Sequence, residues 1–208
     1  VARYRTNGTL DSDFGIAGLV TTTFGQNSTD QGYSVAIQPD GKIIVAGVSY
    51  HNATGSVFAL ARYNADGSLD TSFGGNGKVT TDFGEAYTYA RSVAIQPDGK
   101  IIVAGSIGNT PNSAFAVVRY NTDGTTDNAF GANGKVTTDF GTGAAGYAVT
   151  VQPDGKIVVA GVFYTTSSGL AQADFALVRY NTDGALDSSF GVAGKVTTDF
   201  GTINDLAY

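Results

Sequence analysis

A phrase of about 58 residues recurs along the whole chain. One part of it reads QPDGKIIVAG at 38–47 and 96–105, and QPDGKIVVAG at 152–161. A second part reads RYNADGSLDTSFG at 62–74, RYNTDGTTDNAFG at 119–131 and RYNTDGALDSSFG at 179–191, and GKVTTDFG follows each time. A single unit of this length cannot bury its own apolar face. The repeat therefore predicts similar units that pack on one another.

The composition favours strands and excludes several functions. Apolar residues make up 42% of the chain, with many Val, Ile, Phe and Tyr, and 29 glycines interrupt them, which is typical of short strands joined by tight turns. The formal charge is −6 without a basic stripe, so nucleic acid is excluded as a partner. No apolar run approaches the roughly 20 residues of a membrane-spanning helix, and we expect no membrane insertion. The chain has no cysteine, which excludes disulfides and thiol catalysis.

One copy of the phrase, 92–141, predicts four short antiparallel strands. SVAIQ and KIIVAG flank a PDG turn, in which Pro and Gly suit successive turn positions. KIIVAG is apolar nearly throughout, as expected of a strand that is buried on both faces. FAVVRY ends at an NTDG turn, and KVTTDF is the fourth strand. Four such strands per unit predict an all-β fold, a β-propeller of four-stranded blades. A stacked β-solenoid is the alternative, although its coils usually need fewer residues.

The combined phrase RYNxDGxLDxxFGxxGKVTTDFG, followed by SVAIQPDGKIIVAG, closely resembles the delta-60 repeat, a tandem unit of bacterial β-propeller proteins. The resemblance covers essentially the whole chain. It implies that SVAIQ lies innermost in each blade and KVTTDF outermost. It implies no particular activity, because the family has no established common one. Departures from the phrase, such as Arg5, Leu19 and Thr23, all fall in the first half-unit.

The repeat boundaries predict one propeller domain with about three and a half blades. We expect an outer half-blade at 1–25, blades at 26–84, 85–141 and 142–201, and the entry to another blade at 202–208. Both ends of the sequence fall within predicted strands, which predicts that these residues are part of a longer array. An open array leaves unpaired blade faces, and these favour association with other copies of the chain.

Charged residues that recur in every copy are interpreted first as structural. Each Arg of the RY pair is expected to meet an aspartate of its own blade. This aspartate is either that of TTDFG or that of the LD pair; the arginines are Arg62, Arg119 and Arg179. The DGxxD spacing also places two carboxylates near one turn, which is a possible calcium site; the candidates are Asp66, Asp70, Asp123, Asp127, Asp183 and Asp187. We expect capped turns rather than bound calcium, and no cofactor.

Segments that differ between copies are better candidates for function, since a constant framework leaves them free to vary. One set joins the second and third strands, at 49–57, 106–114 and 163–174. Another precedes the innermost strand, at 26–33, 85–91 and 142–147. Both are rich in Tyr, Asn, Ser and Thr, a composition suited to binding proteins or glycans. The candidate binding residues are Tyr50, His51, Tyr87, Tyr89 and Tyr164.

Catalysis has less support in the sequence. His51 is the only histidine and has no nucleophile motif beside it. The acidic residues outside the repeated positions include Asp30, Glu85, Asp174 and Asp205. We therefore expect a non-enzymatic secreted or cell-surface bacterial scaffold that binds a protein or carbohydrate. The alternatives are a hydrolase or lyase that uses acidic residues and tyrosines at the central mouth, and a self-assembling structural protein.

Overall fold

The computed structural model describes residues 1–51, 55–167 and 170–201, and this part of the chain is all-β. Twelve strands form three antiparallel sheets of four strands each. The strands are β1 (Thr29–Ile37), β2 (Ile43–His51), β3 (Gly55–Tyr63), β4 (Lys78–Thr81), β5 (Thr88–Ile95), β6 (Ile101–Ile107), β7 (Ala114–Tyr120), β8 (Lys135–Thr138), β9 (Ala144–Val151), β10 (Ile157–Ser167), β11 (Leu170–Tyr180) and β12 (Lys195–Thr198).

Each sheet is a simple meander, in which every strand pairs with the next one along the chain. The first strands β1, β5 and β9 lie beside one another and therefore form the inner edge of the arc. The short fourth strands lie at the outer edge. The sheets are packed blades of an unclosed propeller, which confirms the all-β propeller prediction.

The PDG turns form as predicted, but the strands extend further than the sequence indicated. The segments interpreted as loops at 49–57 and 163–174 are largely continuations of β2, β3, β10 and β11. The loops predicted before the innermost strands also end early, because β1, β5 and β9 begin inside them. Backbone pairing explains the difference: once a hairpin is in register, each further pair satisfies polar backbone groups, even where the side chains are polar.

The core lies between blades. Ile44, Ala46, Phe58 and Leu60 of the first blade are fully buried against the second, and Ile102 of the second blade is likewise buried against the third. Alternate side chains along the second and third strands of a blade therefore face the preceding blade and the following blade. The pattern accounts for the nearly continuous apolar sequence of β6, which is buried over Ile101–Ser106.

The recurring arginines pair with the aspartate of the LD pair, one of the two partners predicted. Arg119 Nε donates to Asp127 Oδ2 at 2.7 Å, and Lys100 Nζ reaches the same oxygen at 2.8 Å. The side chains of Arg119 and Asp127 are only 8% and 9% exposed. The other two blades repeat this arrangement with Arg62, Asp70 and Lys42, and with Arg179, Asp187 and Lys156.

Polar contacts also cross each blade interface. The hydroxyl groups of Tyr120 and Thr81 lie 2.7 Å apart in a buried hydrogen bond, and the Arg119 guanidinium donates to the Thr182 carbonyl of the next blade. Equivalent contacts at the other interfaces pair Tyr63 with Thr22, Tyr180 with Thr138, and Arg62 with the Thr122 carbonyl.

Residues 1–25 pack on the first blade as the outer part of a preceding one. Phe14 is fully buried, and Gly15 N–H donates to the Asp66 carbonyl at 2.7 Å, as Gly74 does to Asp123 at the next interface. Arg3 pairs with Asp11 at 2.8 Å. This segment reproduces the outer blade contacts without inner strands. The predicted blade entry at 202–208 lies outside the described residues.

Within the described ranges, the structure has no helix that is long and apolar enough to cross a membrane.

Candidate functional site at the inner strands

The innermost strand of every blade carries a β-bulge at the same place. The pairing of β1 with β2 skips Tyr33, that of β5 with β6 skips Arg91, and that of β9 with β10 skips Tyr147. A bulge leaves one residue without a cross-strand partner and redirects its side chain. The three equivalent bulge residues are therefore presented together from neighbouring blades.

Arg91 lies at the centre of this group. The distances from its Cζ to the ring centroids of Tyr33, Tyr89 and Tyr147 are 5.4, 5.3 and 5.4 Å. All three are within the range at which a guanidinium is attracted by the face of an aromatic ring. We call Tyr33, Tyr89, Arg91, Tyr147 and Tyr164 the axial cluster.

Arg91 is unlike the other cationic residues of the chain. Its partly buried side chain forms no ion pair with any described residue, and its Nε is buried without a hydrogen-bond partner. Every other Lys and Arg side chain contacts an aspartate carboxylate or a backbone carbonyl; examples are Lys100, Arg119 and Lys135. In a chain with a net charge of −6, a guanidinium without an ion pair is a candidate for binding an anionic ligand.

Tyr164 joins the cluster from β10. Burial, together with the neighbouring Tyr147 phenol to which it is hydrogen-bonded, raises the pKa of Tyr164 to about 12, and the nearby Arg91 charge only partly offsets this. Tyr164 therefore remains a neutral hydroxyl throughout the physiological range. Ala145, Val162 and Ala173 form a small apolar cluster against these two tyrosines. The cluster thus combines a cation, aromatic faces and phenol hydroxyl groups on an apolar support.

The glycine of each VAG segment is required by the bulge. A Cβ on Gly105 would overlap the carbonyl oxygen of Tyr89 on the paired strand. Gly47 and Gly161 meet the carbonyls of Gln31 and Ala145 in the same way. Because the absence of a side chain allows this close approach, the repeated glycines of β2, β6 and β10 position the bulge residues.

The five predicted binding residues do not share one site. Tyr89 and Tyr164 belong to the axial cluster. Tyr50, at the end of β2, is 40% exposed, and Tyr87, before β5, is 43% exposed. His51 Nε2 lies 3.1 Å from Ser49 Oγ, which ties the imidazole to its own strand.

Sequence reasoning did not select Arg91 or Tyr147, although both lie in segments identified as variable. The signal that could have identified them is their position in the repeat. Tyr33, Arg91 and Tyr147 each immediately precede the strand phrase SVAI, or AVTV in the third blade. Aligning the copies shows that this position changes from Tyr to Arg to Tyr at the start of the recurring strand phrase. Only the bulge reveals that these three side chains meet.

The proposed calcium ligands are occupied by contacts within the protein. Asp66 Oδ1 accepts hydrogen bonds from Ser68 N–H at 2.9 Å and from Ser68 Oγ at 2.7 Å. Asp70 is held between Arg62 and Lys42. Across the described residues, no three acidic or histidine side chains are grouped as a metal site. This geometry favours capped turns and ion pairs, and the expectation that these turns hold no calcium stays a prediction.

The carboxylates considered for catalysis are dispersed. Burial alone would raise the pKa of Asp30, but hydrogen bonds from Ser49, Ser28 and the Phe24 N–H hold it below its usual value. Glu85 is exposed, and Asp174 is buried with a hydrogen bond from Thr165 Oγ1 at 3.0 Å. Asp205 lies outside the described residues.

Comparison with known proteins identifies the family. No curated protein matches the chain. A protein-family model described as "Domain of unknown function (DUF5122) beta-propeller" matches three segments, 38–73, 96–130 and 152–190. The segments coincide with the phrases that resemble the delta-60 repeat, and together they cover more than half of the chain. The resemblance is confirmed, and the chain belongs to the DUF5122 beta-propeller family.

Proposed function

We propose that this propeller is a non-enzymatic binding module whose axial cluster holds a carboxylate-bearing carbohydrate, such as a uronic acid residue of a glycan. The observation that carries the proposal is Arg91, a cation surrounded by three tyrosine rings and without an acidic partner among the described residues. A guanidinium binds a carboxylate through two parallel hydrogen bonds, and aromatic faces pack against the apolar face of a sugar ring.

The surroundings of Arg91 support a ligand of this class. Tyr33 is 43% exposed, so one wall of the cluster is accessible from solvent. The phenol of Tyr164 remains protonated because its pKa is raised to about 12, and tyrosine hydroxyls can donate to sugar oxygens or accept from sugar hydroxyls. A neutral sugar would leave the guanidinium without a counter-charge, whereas a uronic acid supplies one.

Binding without catalysis is favoured over the hydrolase alternative. A general acid for glycoside cleavage needs a raised pKa, but the pKa of Asp30 is lowered, so Asp30 is ionised at neutral pH. We further propose a secreted or cell-surface location in a bacterium. The bacterial delta-60 resemblance and the accessibility of acidic glycans outside the cell support this location.

The test is calorimetry with the full chain, a uronic acid oligosaccharide and its methyl-esterified, neutral form. We expect binding of the acidic form only, weakened about 10- to 100-fold by Arg91→Gln, as for the loss of a charge-assisted hydrogen-bonded pair. Tyr50→Ala, a tyrosine outside the cluster, is the matched control and should bind normally. Equal binding of both oligosaccharides, or a loss with Tyr50→Ala but not with Arg91→Gln, would contradict the proposal. Release of reducing ends during the titration would favour the hydrolase.

A further inference from the structure

Serine side chains connect the innermost strands of neighbouring blades. Among the described strands, β1, β5 and β9 each pair with a middle strand on one side only, so alternate backbone N–H groups on the other side have no ladder partner. Two of these N–H groups are bonded by the preceding blade. Ser34 Oγ accepts from the Val93 N–H at 3.2 Å, and Ser92 Oγ accepts from the Val149 N–H at 3.1 Å. Two hydroxyl groups therefore tie the three inner strands together.

These bonds lie beside the bulge residues of the axial cluster. Ser92 directly follows Arg91, and Val149 is two residues after Tyr147, a distance of about 7 Å along a strand. The bond between β1 and β5 has the same position relative to the bulges of those strands. Arg91 Cζ lies 5.4 Å from the ring centroids of both Tyr33 and Tyr147. The same spacing thus occurs across both interfaces at which a serine hydroxyl connects the inner strands.

Apolar packing holds this inner edge less firmly than the middle of each blade. Residues 32–34 of β1 and 91–92 of β5 are exposed or half-buried, whereas β6 is buried over Ile101–Ser106. Segments with few buried contacts open more readily. Because a guanidinium is attracted by an aromatic face only within about 6 Å, a separation about 1 Å larger would remove Arg91 from the ring of Tyr147.

We propose that Ser34 and Ser92 are positioning residues of the axial cluster, whose hydroxyl groups fix the separation of the inner strands and so hold Arg91 between its flanking tyrosines. Removal of the Ser92 hydroxyl leaves the half-buried Val149 N–H without its acceptor. A water molecule that replaces the hydroxyl needs space between β5 and β9, and the two strands move apart. The effect on ligand affinity rests on the proposed function, whereas the effect on the spacing does not.

The same interface offers a matched control. Ser113 Oγ accepts from the Ala144 N–H of β9 at 3.1 Å, a bond of the same kind and length as that of Ser92. The Ala144 N–H also donates to the Ser113 carbonyl at 2.7 Å, so the start of β9 stays attached when the hydroxyl is removed. Ser113→Ala therefore removes an equivalent bond without releasing the bulge. Ser92→Thr, which keeps a hydroxyl group, is the conservative variant.

The first measurement is the NMR resonance of the Arg91 Nε–H group in the full chain, identified by its loss in Arg91→Gln. Aromatic rings displace the resonance of a proton near their faces. We expect Ser92→Ala to shift this resonance towards that of a free arginine, and Ser92→Thr and Ser113→Ala to leave it at the wild-type position. In calorimetry, Ser92→Ala should bind the uronic acid oligosaccharide about 3- to 10-fold more weakly, as for the loss of one hydrogen bond.

Three results would overturn the positioning role. They are an unchanged Arg91 resonance in Ser92→Ala, an equal shift in Ser113→Ala, and a failure of Ser92→Thr to retain the wild-type resonance. The proposed function still stands in those cases if the wild-type chain binds the acidic oligosaccharide and Arg91→Gln binds it more weakly. Conversely, a wild-type chain that binds no uronic acid but shows the expected resonance shifts would refute the ligand and support the positioning role.

Discussion

Two ion pairs with the same geometry but different burial allow the energetic role of the repeated Arg–Asp contact to be measured. Arg119 and Asp127 are 2.7 Å apart with side chains 8% and 9% exposed, whereas Arg3 and Asp11 are 2.8 Å apart with side chains 32% and 18% exposed. The perturbation is Asp127→Asn, with Asp11→Asn as the matched control. Both substitutions preserve size and remove one charge.

The expected loss of folding stability for Asp127→Asn follows from the two cations that remain after the carboxylate is removed. Arg119 and Lys100 both donate to the removed carboxylate, and breaking a buried pair leaves an uncompensated cation at a cost of about 3 to 5 kcal/mol. Lys100 is 30% exposed and can turn to solvent, so we expect the lower limit, about 3 kcal/mol. For a chain of this size the loss corresponds to a melting temperature about 9 °C lower. Asp11→Asn should lose clearly less, because water already screens that pair.

Urea denaturation at neutral pH, repeated down to about pH 2, tests both the size of the stability loss and the direction in which it changes with pH. Burial would raise the pKa of Asp127, but Lys100, the Ala129 N–H and Arg119 together hold it below its usual value. A lowered pKa contributes stability that is present above about pH 4 and is lost as the pH falls. The difference in the free energy of unfolding between wild type and Asp127→Asn should therefore become smaller in acid. Equal losses for the two variants at neutral pH, or a difference that grows in acid, would refute the reasoning.

Three further predictions concern single groups. Tyr120→Phe removes the buried hydroxyl bonded to Thr81 and should lower the free energy of unfolding by about 1 to 3 kcal/mol in urea titrations. Tyr164 has a raised pKa of about 12, so its contribution to stability is present below about pH 10 and is lost above it; Tyr164→Phe should reduce the alkaline loss followed by circular dichroism. Gly105→Ala places a Cβ against the Tyr89 carbonyl and should destabilise the protein by about 1 to 3 kcal/mol in thermal melts, with weaker uronic acid binding.

The fold could be predicted because its determinants are repeated. The PDG turns, the apolar second strands and the unit length were sufficient for a propeller of four-stranded blades. The recurring Arg was also predicted to pair within its blade, but the sequence left two aspartates open. The structure shows that the partner is the aspartate of the LD pair. The turn of the LD segment allows the Asp127 N–H to donate to the Arg119 carbonyl at 2.9 Å, and this brings the two side chains together.

The axial cluster could not be predicted in the same way. Tyr89 and Tyr164 were selected for their residue type, but the contact with Arg91 depends on three bulges, and a bulge shifts the side-chain alternation by one residue. Regular alternation gives no indication that Tyr33, Arg91 and Tyr147 point the same way. The full length of β10 and β11 was not predicted for a related reason. Their ends carry polar side chains, whereas the pairing of the two strands depends on backbone hydrogen bonds.

The bulge position explains how the blades of a repeat protein can differ at one residue without losing the packing between them. Residues at blade interfaces must suit the same neighbours in every copy, and Phe14, Phe73 and Phe130 are correspondingly all fully buried. A bulge residue has no cross-strand partner and lies outside the repeated set of fully buried core residues, so its identity is less constrained. A single change from Tyr to Arg in the second blade then creates a charged cluster with aromatic walls, and the residue at this position can differ between blades while the fold remains constant.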